Sequence, residues 1–272
     1  MISRMSDQQY LVRDQYKDAT KLRARIQLHE HFSTNKHGWM PWVFDQLQLA
    51  SGARVLELGC GPGTLWTENR ARIPADWKVV LSDLSPGMLQ RAQRSLGALR
   101  RGLEFMVVDI QALPFGDASF DAVIANHMLY HVPNISGALS EVRRVLRPGA
   151  VFYAATNGRR HMRELGELAR TFDHGITCAS REYSFSLENG AAQLDEWFED
   201  TELRRYEDSL AVTEAYPLVA YILSSVGNAH SLLAGDGSGE LAAFVERQLS
   251  VGGVIHITKD VGLFVALRGL GS

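Results

Sequence analysis

The sequence contains little cysteine and no long apolar run. Only two of its 272 residues are cysteines, Cys60 and Cys178, which is too few for a disulfide framework and is typical of a reducing, cytoplasmic setting. No stretch approaches the roughly 20 consecutive apolar residues of a membrane-spanning helix. The first ten residues are polar and lack the apolar segment of a secretory signal. We therefore expect a cytoplasmic protein with no membrane partner.

The chain also has no excess of basic over acidic residues. The chain has 28 Lys and Arg against 31 Asp and Glu, a formal net charge of -3, whereas nucleic-acid-binding proteins carry a basic patch or stripe. We therefore expect no nucleic-acid partner. With 46% hydrophobic and 22% charged residues, the composition is that of an ordinary globular protein, and we expect one domain over residues 1–272. The oligomeric state stays open, with a homodimer among the alternatives.

Five short apolar runs occupy the middle of the chain, residues 51–156. They are residues 54–58, 78–82, 103–108, 120–125 and 151–155. Runs that are apolar almost throughout are typical of strands buried on both faces, and the segments between them have helical spacing, most clearly residues 88–99 and 135–146. Pro148 and Gly149 are expected to stop the second of these helices before the fifth strand. Strands that alternate with helices predict an α/β fold with a parallel sheet.

The two ends of the chain are less regular. Apolar residues at helical spacing between Leu22 and Phe32 predict an N-terminal helical segment within residues 1–50. Beyond residue 156 the expected elements are a sixth strand at 203–212, helices at 214–226 and 240–249, a flexible loop at 234–239, and a seventh strand at 262–268 that is reached through 254–258. Residues 157–272 therefore combine the last strands with a mainly helical cap, in which residues 157–200 and 213–250 are the natural place for a substrate lid.

The strongest signal is a glycine-rich loop that leaves the first predicted strand and enters a helix. Its sequence is Glu57-Leu58-Gly59-Cys60-Gly61-Pro62-Gly63. The glycines allow a tight turn and let a ligand lie against the backbone, and ligands of such sheets bind at the carboxyl ends of the strands. No Lys-Ser or Lys-Thr pair follows Gly63, which disfavours a P-loop. A carboxylate at Glu57 would repel a pyrophosphate and suits a ligand with an ammonium or sulfonium charge.

Two aspartates follow later strands at the same predicted edge of the sheet. Asp83 comes roughly 20 residues after the glycines, where an acidic side chain binds ribose hydroxyls; the alternative is that it caps the helix beginning near Ser85. Asp109 ends the third run and can accept a hydrogen bond from an exocyclic amine such as that of adenine, although taken alone it would be read as a loop carboxylate. With the glycine loop, the two carboxylates fit a ligand that contains a ribose and an adenine.

Two further motifs complete a pattern. They are Phe120-Asp121-Ala122-Val123 and Arg144-Val145-Leu146-Arg147-Pro148-Gly149. In this order the motifs resemble those of the class I S-adenosylmethionine-dependent methyltransferases, above all the small-molecule group that includes the ubiquinone and menaquinone methyltransferases. The resemblance covers about residues 50–156 and implies a Rossmann-like seven-stranded sheet with helices on both faces and an antiparallel last strand. It also implies S-adenosylmethionine as cofactor, S-adenosylhomocysteine as product and a small-molecule methyl acceptor.

The resemblance assigns cofactor-binding roles residue by residue. The implied set is Tyr16, Glu57, Gly59, Cys60, Gly61, Asp83, Leu84, Met88, Asp109, Ile110, Asn126 and His127. The loop residues would line the methionine part of the cofactor, Asp83 would bind the ribose hydroxyls and Asp109 the adenine amine. His127 would face the reactive end, and Tyr16 would close the site from an N-terminal helix.

His127 and His131 are the candidate general bases, because they follow the fourth predicted strand at the rim of the crevice. A histidine titrates near neutrality and can take a proton from the acceptor; the alternative is that one or both are structural. Their spacing also suits two metal ligands, but Met128 stands where a zincin has Glu and no third ligand is evident, so no metal is expected. Cys60 lies near a predicted helix N-terminus, which lowers a thiol pKa, but packing is the simpler reason for its presence.

Several alternatives stay open. The aromatic residues Tyr16, Phe32, Trp39 and Trp42 form either a wall over an apolar substrate or the packing face of an N-terminal helix. The protein could be a non-catalytic S-adenosylmethionine-binding protein, or a methyltransferase for protein or RNA. A nicotinamide or nucleotide-sugar enzyme is disfavoured by Glu57. The Asn-Pro-Pro-Tyr signature of enzymes that methylate planar amines is absent, which favours an oxygen, carbon, sulfur or aliphatic nitrogen acceptor.

Overall fold

The computed structural model describes residues 20–97, 102–177 and 183–270, with side chains from residue 26 onwards. The strands are β1 Arg54–Leu58, β2 Lys78–Asp83, β3 Leu103–Val107, β4 Phe120–Asn126, β5 Leu146–Asn157, β6 Asp200–Val212 and β7 Ile255–Leu267. They form a seven-stranded sheet in the order β3-β2-β1-β4-β5-β7-β6. Strands β1 to β5 pair in parallel, and β7 runs antiparallel to both of its neighbours. The predicted sheet is therefore confirmed.

Helices connect these strands and precede the first of them. They are α1 Thr20–Phe32, α2 Trp39–Asp45, α3 Thr64–Glu68, α4 Pro86–Leu96, α5 Ile135–Val145, α6 Arg163–Phe172, α7 Gly190–Leu194, α8 Ala215–Ser225, α9 Ala229–Leu232 and α10 Gly237–Gly252. Helix α4 begins with Pro86, and the side chain of Ser85 caps it by accepting a hydrogen bond from the Met88 amide at 3.4 Å. In the described part of the chain, no helix combines the length and the apolar character that crossing a bilayer requires.

Alternate residues of the central strands face two different helical layers. Leu56 and Phe152 are fully buried in a hydrophobic cluster that includes α5. Val55 and Tyr153, one position away in each strand, are buried in a second cluster with α2, α3 and α4. Since successive side chains of a strand point to opposite faces, these clusters place helices on both sides of the sheet, as expected.

Strand β5 begins earlier than the sequence predicted. We expected it over 151–155, but it runs from Leu146 to Asn157 and includes Pro148 and Gly149. The Gly149 amide donates to the Arg268 carbonyl at 2.7 Å, and the pairing register with β4 shifts in this region. Pairing with Arg268, which follows β7, therefore includes Pro148 and Gly149 in the strand. Helix α5 does end before these two residues, as predicted.

Strands β6 and β7 form a hairpin that extends beyond the rest of the sheet. We expected β7 as two pieces, 254–258 and 262–268, but it is one continuous strand that pairs with β6 along its whole length. Strand β5 pairs only with residues 261–267 of β7. The polar residues between the two expected pieces broke the apolar pattern, whereas the structure gives them partners in β6.

The cap packs on the projecting end of this hairpin. Its hydrophobic cluster draws residues from α1, α6, α8, α10 and both strands, including Leu28, Leu165, Leu210, Leu218, Leu241 and Ile257. Phe32 is buried in this cluster, so it contributes to the cap and not to a substrate wall. Helix α10 begins at Gly237, so the predicted flexible loop at 234–239 is wrong for its last three residues. The mainly helical cap is confirmed, and the assignment of the chain to one domain stays a prediction.

Candidate active site

The glycine loop lies at the carboxyl end of β1, where the strand order turns from β2 on one side to β4 on the other. Gly59 has a φ of +66°, and a Cβ at this position would lie 2.8 Å from the Cβ of Met128. The loop after β4 therefore approaches so closely that only glycine fits. Gly61 has a φ of +55°, and a Cβ there would meet nothing within 4 Å. The backbone of the loop is thus open on one side, where a ligand can lie against it.

Asp83, at the end of β2, fixes this loop. One carboxylate oxygen accepts a hydrogen bond from the Gly61 amide at 2.9 Å, and the other accepts one from the Ser85 amide at 2.8 Å. Both contacts are to backbone, so Asp83 does help to organise the start of α4. Each oxygen keeps a second lone pair, and the ribose-binding role stays a prediction. Of its neighbours, Met88 is buried and Leu84 is partly exposed.

Glu57 lies beneath the loop and is almost completely buried, with 2% of its surface exposed. Its Oε2 atom accepts a hydrogen bond from Trp66 Nε1 at 2.6 Å. Burial is the main cause that raises the Glu57 pKa to about 8; the Trp66 hydrogen bond opposes this shift and the charge of Asp83 adds to it. At neutral pH the side chain is therefore mostly uncharged, whereas the sequence argument had assigned it a full negative charge.

The neighbouring Cys60 is buried in the same place. Its amide donates to the Ser82 carbonyl at 2.9 Å, which joins the loop to β2. Burial, with the nearby charges of Glu57 and Asp83, raises the thiol pKa well above its usual value. The expectation that a helix N-terminus lowers this pKa is wrong, because burial and the two neighbouring carboxyl groups raise it. A packing role suits the thiol.

Asp109 follows β3 and lies beside the end of β2. The Val108 amide donates to the Asp83 carbonyl at 3.2 Å, and Asp109 accepts hydrogen bonds from the Gln111 amide and side chain. Ile110 is buried in the cluster on the α5 face of the sheet. The carboxylate is thus held at the rim of the crevice, and its contact with an adenine amine stays a prediction.

His127 adopts an unusual backbone conformation directly after β4. Its φ is +57°, which is uncommon outside glycine, and its amide donates to the Ala155 carbonyl at 3.1 Å. Burial lowers the pKa of the imidazole to about 4, and the positive charge of Lys259 contributes. The imidazole is therefore neutral at pH 7. That protonation state is the one a general base needs, but the low pKa makes it a weak base.

Helix α2 covers His127 with aromatic rings. The centroids of Trp39 and His127 are 5.0 Å apart, and Trp39 Nε1 donates to Asn126 Oδ1 at 3.2 Å. His131 lies in the turn Leu129–His131, where the centroid of its ring is 4.5 Å from that of Tyr130. Of the two predicted bases, His127 is therefore the one whose ring packs against Trp39. Tyr16 lies outside the described residues.

The sequence argument missed a polar pair on β6 and β7. Asp208 and Lys259 are directly opposite each other in the hairpin and form an ion pair in which the side chains are only 0% and 7% exposed. Lys259 Nζ lies 5.5 Å from the ring centroid of Tyr206. The centroid of the Tyr206 ring is in turn 5.3 Å from those of Trp39 and Trp42. The sequence left open whether the two tryptophans form a substrate wall or the packing face of a helix, and their contacts with Tyr206 depend on a strand pairing that no local pattern reveals.

Comparison with known proteins agrees with the motifs. A family model described as a methyltransferase domain matches residues 56–154. The ubiquinone/menaquinone biosynthesis C-methyltransferase UbiE of Hahella chejuensis is 36% identical over 113 residues, which are 41% of this chain and 45% of that protein. The malonyl-[acyl-carrier protein] O-methyltransferase of Enterobacter lignolyticus is 34% identical over 136 residues, which are 48% of this chain and 50% of that protein. The match thus spans half or less of these relatives.

A solved structure shares the architecture over nearly the whole chain. The Haemonchus contortus phosphoethanolamine N-methyltransferase 2, in complex with S-adenosyl-L-methionine, has a TM-score of 0.59 and 18% identity over 99% of this chain and 60% of that one. At this identity the likeness speaks for the fold. The family match and the UbiE relative confirm that the chain resembles the class I methyltransferases of the ubiquinone and menaquinone type.

Proposed function

We propose that the protein transfers the methyl group of S-adenosylmethionine to a small-molecule acceptor at oxygen, carbon, sulfur or aliphatic nitrogen. The observation that carries the proposal is a convergence at one edge of the sheet. The glycine loop after β1 is tied to Asp83 at the end of β2, and Gly59 touches the segment after β4 that holds His127. A cofactor on the loop would therefore have its reactive end beside His127.

The residues of the loop fit this cofactor. The open side of Gly61 leaves room for the methionine part, and the spare lone pairs of Asp83 can accept from ribose hydroxyls. The buried Glu57 lies where a cationic ligand would favour its ionised form. The bound cofactor supplies a methyl group activated by a sulfonium. The protein then mainly has to hold the acceptor in line, which contributes roughly 7–11 kcal/mol through proximity and orientation.

His127 would orient the acceptor and would take a proton only from a readily ionised group. A base with a pKa of about 4 is too weak to take a proton efficiently from an alcohol or an amine that stays protonated at neutral pH. This suits an acceptor whose nucleophile is already deprotonated. His131 is the second candidate for a base.

The identity of the acceptor is the open part of the proposal. The names of the relatives include a quinone pathway and a malonyl-[acyl-carrier protein], so methyltransferases with this kind of domain serve different acceptors. A small molecule is favoured over RNA by the net charge of -3. The cytoplasmic location and the homodimer remain predictions.

Titration calorimetry with S-adenosylmethionine, S-adenosylhomocysteine and NAD tests the cofactor. We expect the first two to bind and NAD not to bind. If the folded protein binds neither of the first two, the proposal is wrong. A screen of acceptors with a labelled methyl group then separates an enzyme from a protein that only binds the cofactor, because only an enzyme moves the label.

A further inference from the structure

Two buried side chains at the acceptor side of the site keep hydrogen-bond donors that they do not use. Lys259 Nζ donates to Asp208, and no second acceptor for it is found among the described residues, although its side chain is only 7% exposed and an ammonium has three donors. The Tyr206 hydroxyl is buried and donates no hydrogen bond; the Gly38 backbone lies beside its oxygen and opposes the rise that burial causes in its pKa. About nine in ten buried polar groups have a partner, so the Tyr206 hydroxyl needs an explanation, as do the unused donors of the ammonium beside it.

Neighbouring aromatic rings link both donors to His127. The Lys259 ammonium is 5.5 Å from the Tyr206 ring centroid, and the Tyr206 ring is 5.3 Å from that of Trp39. Trp39 also contacts His127 at 5.0 Å. Lys259 and Tyr206 therefore belong to the same cluster of side chains as His127, beside which the methyl group would be presented.

Asp208 cannot satisfy these donors by rotating, because its carboxylate is already held on both oxygens. One oxygen accepts from Ser33 Oγ and Lys259 Nζ, and the other accepts from the Asn35 amide at 2.9 Å and the Ser209 amide at 2.8 Å. Asp208 thus fixes the ammonium in place. Because both oxygens of Asp208 are occupied, the other two donors of the Lys259 ammonium need a different acceptor.

We infer that Lys259 and Tyr206 bind an anionic oxygen of the methyl acceptor, which is therefore a small acid such as a carboxylate, a phenolate or a phosphate monoester. The inference rests on the proposed function for the identity of the ligand as the acceptor. Ammonium and hydroxyl donors make short, charge-assisted hydrogen bonds to such oxygens. A negative charge here would also offset the influence of Lys259 on His127 and make the imidazole a better proton acceptor.

The test compares an anionic probe with an uncharged one of the same shape. Benzoate, phenyl phosphate and neutral benzamide are titrated into the protein with and without saturating S-adenosylhomocysteine, and the tryptophan fluorescence is followed because Trp39 lies against the site. We expect the anions to bind at least about tenfold more tightly than benzamide, as a hydrogen bond to a charged group implies.

The variants separate ligand binding from folding. Tyr206→Phe removes only a hydroxyl that donates no hydrogen bond, so we expect a folded protein whose preference for the anions falls several-fold. Lys259→Met combined with Asp208→Asn removes the ion pair without leaving a buried charge, and should abolish the preference. The matched controls are Tyr216→Phe, at an 82% exposed side chain, and Lys36→Met, at an exposed lysine of the α1–α2 connection.

The outcomes distinguish the inference from the function beneath it. Equal affinity for benzoate and benzamide, absence of anion binding, or a preference that survives in Tyr206→Phe and in a folded double variant would each overturn the inference. Failure to bind S-adenosylhomocysteine would overturn the proposed function. If the anions then still bind through Lys259 and Tyr206, the anion site stands and its assignment to a methyl acceptor falls.

Discussion

Glu57 offers a direct test of how this site handles a buried carboxyl group. Replacing it by glutamine in Glu57→Gln keeps the shape, and the amide oxygen can still accept the hydrogen bond from Trp66. The variant therefore changes one property, the ability to become negatively charged in a site that excludes water. We expect it to make the free protein more stable at neutral and alkaline pH and to weaken binding of the cationic cofactor.

The magnitude follows from the two pKa values. In the unfolded chain the carboxyl has its usual pKa of 4.5, and in the fold the pKa is about 8. Between these values the folded state binds the proton more tightly than the unfolded state, so the free energy of unfolding falls as the pH rises. The slope is at most about 1.4 kcal/mol per pH unit. Relative to acidic pH, where Glu57 is protonated in both states, the free energy of unfolding of the wild type should therefore fall by roughly 3 kcal/mol at pH 7. At pH 8 the fall should be on the order of 4 kcal/mol.

The assay is urea unfolding at about pH 5 and pH 8 for the wild type, Glu57→Gln and the matched control Glu104→Gln, at an exposed glutamate of β3. Glu57→Gln should exceed the wild type in stability by a few kcal/mol at pH 8 and by about 1 kcal/mol at pH 5, while the control should follow the wild type. If Glu57→Gln and the wild type show the same pH dependence, burial does not raise this pKa and the reasoning fails.

Three other substitutions test separate contacts. Asp83→Ala should weaken cofactor binding by about 1–3 kcal/mol through lost hydrogen bonds, and an unchanged affinity in calorimetry would reject the ribose role. Gly59→Ala should lower the melting temperature more than Gly61→Ala, since both have positive φ but only the Cβ of the first meets Met128 at 2.8 Å; equal melting temperatures would contradict the close approach. His127→Asn, chosen because asparagine tolerates the positive φ, should slow turnover more than it weakens cofactor binding, and full activity on the true acceptor would exclude a role in transfer.

The sequence by itself predicted the central part of the fold. Strands β1, β2 and β4 are apolar almost throughout because both of their faces are covered, and this pattern is visible without a partner. The glycine loop was equally readable, because turn preferences act within a few residues. The order of these elements then placed Asp83 and His127 at the same edge as the loop.

Tertiary structure decided what depends on distant residues. The early start of β5 at Leu146 and the unbroken course of β7 come from strand pairing, which can override a local proline or a polar interruption. The ion pair between Asp208 and Lys259 joins residues 51 positions apart in the chain. The protonation of Glu57 was also out of reach of the sequence, because a pKa depends on how much water the fold removes and on which charges it brings near. Local preferences fix where elements form, whereas burial and pairing fix how their side chains behave.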